Sequence, residues 1–98
     1  MKYYFDPHAR QELKDATLYF SNIDPDLGSD FAGEVERTIS LILRFPEAWP
    51  RVTRLARRCR TQRFPYAILY RIWSEEIEIL AVMHLSRKPD YWTDRFSK

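Results

Sequence analysis

The chain has 98 residues, and that length supplies one hydrophobic core but not two, so a single domain over residues 1–98 is expected. With 45% hydrophobic and 15% aromatic residues and only two glycines, the composition excludes a disordered or low-complexity protein. The formal net charge of +2 hides an asymmetry: residues 1–50 carry five Lys or Arg against nine Asp or Glu, and residues 51–98 carry eleven against five. Surfaces built by the second half should attract a polyanion or an acidic polypeptide.

Cys59 is the only cysteine, which excludes an internal disulfide, and with only His8 and His84 beside it there is no zinc spacing. No metal or other cofactor is expected, and a reducing, cytoplasmic setting fits. The opening MKYYFDPHARQEL lacks the apolar core of a signal peptide, and no segment approaches the roughly 20 apolar residues of a membrane span. Neither export nor a membrane partner is expected.

In chain order, Lys2 to Phe5 reads as a short aromatic strand, and Asp6-Pro7 supplies a helix cap with proline at the first helical position. Ala9, Leu13, Ala16 and Phe20 then mark one face of a helix from about Pro7 to Ser21. Asn22 to Asp26 interrupts the periodicity. Phe31, Val35, Ile39 and Ile42 define a second amphipathic helix ending near Phe45, so the two can form a hairpin. Pro46 and Pro50 bracket an irregular connection in which Trp49 is expected to lie over the core.

The period then changes from helix to strand. A strand from about Leu55 to Arg63 carries an arginine-rich face, and a second contains Tyr66, Ala67, Leu69, Tyr70 and Trp73. In a third, Ile77, Ile79, Ala81 and Met83 alternate with Glu76, Glu78, Leu80 and Val82, so its end should be buried on both faces. Ser74-Glu75 or a nearby pair is the expected hairpin turn, and Arg71 can pair with Glu78 across it. The fold class is α+β: an N-terminal strand, a helical hairpin, then a three-stranded antiparallel meander with the helices packed on one sheet face.

Several segments together resemble the ParE/RelE superfamily of small bacterial toxins, closer to its ParE, or plasmid-stabilisation, branch. They are Phe5 with Ala9 and Leu13; Phe31; Arg58 and Arg60 ahead of Phe64-Pro65-Tyr66; Ile68, Tyr70 and Arg71; and Ile79 to Val82 leading into His84, Arg87, Pro89, Tyr91 and Trp92. The resemblance implies a toxin of a type II toxin–antitoxin system, neutralised by a cognate antitoxin through which DNA is mainly contacted. It implies DNA gyrase as the target of a ParE-like member and ribosome-bound messenger RNA as the substrate of a RelE-like one. A nontoxic binding module of the same fold is the third reading.

The candidate site follows from the last strand and the arginine run. For ribonuclease chemistry, His84 is the proton-transfer group, Arg58, Arg60, Arg63 and Arg87 stabilise phosphate charge, and Tyr91 or Trp92 stacks a base. The competing structural reading has His84 bonded to backbone or to Tyr91, with Pro89, Tyr91 and Trp92 tying the C-terminal segment to the sheet. The resemblance implies a denser set of Lys, Arg and acid-base residues on the strands of an RNA-cleaving member, whereas no lysine lies here between Lys14 and Lys88, a departure that weighs against RelE-type catalysis without excluding it. For binding the target or the antitoxin, the expected residues are Arg57, Arg58, Arg60, Arg63, Arg87, Tyr91 and Trp92. An antitoxin segment is expected to cover an apolar groove along the helix hairpin and part of the arginine surface.

Overall fold

The computed structural model describes residues 1–97, with side chains through Arg95. Strand β1 (Lys2–Phe5) leads into helices α1 (Pro7–Ile23) and α2 (Pro25–Arg44), followed by β2 (Arg57–Arg60), β3 (Tyr66–Ile72) and β4 (Glu76–His84); a short 3-10 helix (Thr93–Ser97) follows. The Asp6 carboxylate accepts the His8 amide at 2.8 Å and starts α1, with Pro7 supplying a preset φ. Asp24 does two jobs. Its amide donates to Phe20 O to close α1, and its carboxylate accepts the Asp26 amide at 2.8 Å to open α2. Because Pro25 follows, Asp24 is held extended at φ −163°, ψ 126°, and α1 runs on through Asn22 and Ile23 to reach it.

The sheet has four strands, in the order β1-β4-β3-β2, and not the three of the expected meander. The meander itself is present, with β2 antiparallel to β3 and β3 antiparallel to β4. The N-terminal strand extends it, lying parallel to β4 with Phe5 opposite Ile79. A parallel pair needs a long crossover, and the helical hairpin, followed by the other two strands, is that connection. Strand β2 is also shorter than expected. At one end Thr53 Oγ1 accepts the Leu55 and Ala56 amides, and at the other the Thr61 hydroxyl donates to Phe64 O at 2.7 Å, so both flanks turn.

Ala9, Phe31, Val35, Ile39, Ile42, Cys59, Ile68, Tyr70, Ile77, Ile79 and Val82 form the main core between helices and sheet, and Trp49 packs against it as expected. A second core occupies the other sheet face, where Ala67, Leu69, Leu80, Ala81 and Met83 meet Trp92. The strict alternation expected along β4 fails at one residue. Tyr70 opposes Ile79 and Leu69 opposes Ala81, so Leu80 is an extra residue, a β-bulge. Leu80 and Ala81 therefore share one face, while Val82 rejoins Ile77 and Ile79 on the helix side. The turn at Ser74-Glu75 is as expected: Trp73 donates to Glu76 O at 2.8 Å, and no described residue has positive φ. Arg71 pairs with Glu78 at 3.3 Å.

Candidate functional site

His84 ends β4 on the helix-facing side, opposite Tyr66, whose ring it meets edge-on at 5.0 Å. The Ser86 amide donates to its Nδ1 at 3.0 Å, and the Ser86 hydroxyl lies 2.8 Å from the same atom. An amide can only donate, so Nδ1 is the acceptor and the neutral ring carries its proton on Nε2. The ring lines an open groove of about 280 Å³ with Glu12, Asp15, Tyr19, Tyr66, Val82 and Arg87. That groove sets acids, a base and aromatics along α1 and the end of β4.

Tyr91 is held by partners within the chain. Its hydroxyl donates to Glu12 Oε2 at 2.5 Å, while the guanidiniums of Arg87 and Arg95 lie 4.0 and 5.1 Å from its ring centroid. Burial, reinforced by the hydrogen bond to Glu12, pushes the phenol pKa up. Trp92 is 1% exposed, and its indole N–H donates to Pro89 O at 2.7 Å, so it is a core residue of the second sheet face. The structural reading of Pro89, Tyr91 and Trp92 matches this geometry.

Glu12 organises the region, and sequence reasoning missed it. Besides Tyr91 it accepts the Val82 amide at 3.0 Å and both terminal nitrogens of Arg95 at 3.1 Å. Strand β1 ends opposite Ile79, so Val82 lies past the reach of that neighbour and the carboxylate takes the place of a further strand. Arg95, also missed, reaches on to the Leu80 carbonyl at 2.7 Å, at the bulge. The only available signal was that Glu12 stands three residues from Ala9 and four from Ala16, on the buried stripe of α1.

The expected arginines are not brought together around His84. Arg58 and Arg60 oppose Leu69 and Ala67, on the sheet face away from His84. Arg63 pairs with Asp30 at 2.8 Å, on α2. Arg57 donates to the carbonyls of Glu47 and Trp49, at 3.1 and 2.8 Å. Only Arg87 shares the groove of His84, while Tyr91 reaches it through its bond to Glu12. Cys59 is buried, and burial raises its thiol pKa to about 11 despite the flanking arginines. Among the described residues no cluster of His, Cys, Asp or Glu is placed to hold a metal ion, and no helix is long and apolar enough to cross a membrane.

Comparison with known proteins adds what geometry alone cannot. No curated protein matches this sequence. Among solved structures, one described as the chromosomal ParDE TA system from P. aeruginosa shares the fold at a TM-score of 0.77, with 14% sequence identity, over 88% of this chain and 97% of that one. The family described as "ParE toxin of type II toxin-antitoxin system, parDE" matches residues 3–89. The four-stranded sheet, the helical hairpin and this match agree, and the chain belongs to the ParE toxin family of type II toxin–antitoxin systems.

Proposed function

We propose that this protein is a non-catalytic toxin that poisons DNA gyrase and is neutralised by a cognate antitoxin. Family membership supports the gyrase target, and one observation carries the non-catalytic part. His84 Nδ1 and the Tyr91 hydroxyl are both engaged within the chain, and Arg58 and Arg60 lie on the opposite sheet face. Cleavage of RNA needs a proton-transfer group and phosphate-binding guanidiniums around one phosphate, and separation across a sheet works against it. The antitoxin part draws support from an apolar groove of about 520 Å³ along the hairpin, lined by Leu13, Leu18 and Ala32 among others. An amphipathic segment fits such a groove with its apolar face inward.

The alternative, a ribosome-dependent ribonuclease, rests on the groove that holds His84, Arg87, Glu12 and Asp15 together. Controlled expression in growing bacteria separates the readings. Gyrase-linked DNA breaks with intact messages are expected; message cuts without gyrase damage would replace the proposal with the nuclease. Growth unaffected by soluble, folded protein would instead favour a nontoxic binding module.

A further inference from the structure

The arginine-rich stretch is not one surface. Between Pro50 and Arg57 the chain doubles back: the Val52 and Thr53 amides both donate to Ala56 O, at 2.9 and 3.3 Å, and Arg51 bridges to Arg57. That turn gathers Arg51, Arg54 and Arg57 around an open cleft of about 320 Å³, completed by Glu47, Leu55 and Ile72. The Arg57 guanidinium is fixed there by the Glu47 and Trp49 carbonyls. Among the described residues no carboxylate lies within ion-pairing distance of Arg51, Arg54 or Arg57. Arg58 and Arg60 project from the other face of β2, so this strand carries positive charge on both sides.

We infer that this cleft docks the phosphodiester backbone of a nucleic-acid duplex. Guanidinium forks match paired phosphate oxygens, and three of them against the single carboxylate of Glu47, which pairs with none of them, leave a net positive field for an external anion to neutralise. None of the lining residues is aromatic, so the cleft has no platform for an unpaired base, and recognition runs through the backbone of a duplex and not through a single strand. Exposed Leu55 offers apolar contact to the sugar between phosphates. An acidic peptide would match the charge, but a duplex presents phosphates at fixed spacing along a rigid edge, which suits a cleft where one turn gathers Arg51, Arg54 and Arg57. The inference goes beyond the gyrase reading, which requires no direct contact between this chain and DNA.

The test uses the purified full chain and a short labelled DNA duplex of mixed sequence, with neither gyrase nor antitoxin present. Three phosphate contacts predict a slope of log affinity against log salt of about −3, or about a fortyfold loss between about 50 and 200 mM salt. Arg51→Gln with Arg54→Gln should weaken binding about tenfold or more at the lower salt and bring the slope to about −1. Lys2→Gln with Arg10→Gln removes equal charge from β1 and α1 and should leave the slope unchanged. Should the arginine variant fail to fold, guanidinium NMR signals of the wild-type chain give the second readout: those of Arg51, Arg54 and Arg57 should shift on adding duplex. Absence of duplex binding at low salt, an unaltered slope in the folded variant, unmoved arginine signals, or poly-glutamate binding in place of the duplex would each overturn the inference. None of these results bears on whether gyrase is the target.

Discussion

At the scale of single residues, Glu12 carries the heaviest structural duty outside the core. Its carboxylate joins α1, β4 and the C-terminal segment through Val82, Tyr91 and Arg95, and the ion pair with Arg95 is well shielded, at 19% and 10% side-chain exposure. Removing it strands an amide, a phenol and a guanidinium together. Glu12→Ala should cost about 3 kcal/mol in urea denaturation, Tyr91→Phe about 2, and the double variant less than the two combined, since both delete one network. Cys59 gives a prediction in pH. Its thiol ionises at about 11 when folded against 9.0 as an ordinary thiol, so the unfolded chain loses its proton first. The contribution to stability is complete below pH 9 and lost as pH rises toward 11. A Cys59→Ala variant compared with wild type across that window should show the wild type losing more stability as pH rises.

At the scale of elements, the two glycines of α2 make opposite predictions. A Cβ at Gly28 would lie 1.8 Å from Ser21 Oγ and 3.0 Å from Ser21 Cα, because the hairpin brings the helices together there. At Gly33 nothing lies within 4 Å. Gly28→Ala should therefore lower stability by about 2 kcal/mol through overpacking, and Gly33→Ala should raise it by about 0.5–1 kcal/mol through helix propensity, both readable from thermal melts. The helices were legible because Asp6-Pro7 and Asp24-Pro25 are local signals and the apolar stripes repeat over several turns. The Ser74-Glu75 turn and the Arg71–Glu78 pair were legible for the same reason: they join near neighbours in sequence.

What the sequence concealed was nonlocal. Pairing of β1 with β4 joins residues more than seventy positions apart, and no feature of Lys2 to Phe5 specifies a parallel neighbour. The bulge at Leu80 shifts the phase of an apolar run in which either phase looks buried, so IEILAVM gives no indication of it. For the site, the positions of His84 at a strand end and of Tyr91 beyond it could be read, but not the bond of Tyr91 to Glu12. The arginines between Arg51 and Arg63 read as one surface because charge density carries no direction; strand alternation and the turn at Thr53 send them to three places.

At the scale of the whole molecule, helices cover one face of the sheet and the C-terminal segment covers the other, where Tyr91 and Trp92 fasten it. The proposed function has such a toxin act by binding. The most direct test incubates purified gyrase and supercoiled plasmid with the wild-type chain and with His84→Ala, alongside translating ribosomes treated in the same way. Gyrase-linked double-strand breaks to the same extent with both proteins, and intact messenger RNA, are expected. Messenger RNA cut by the wild type and spared by a folded His84→Ala variant, with gyrase undisturbed, would contradict the proposed function.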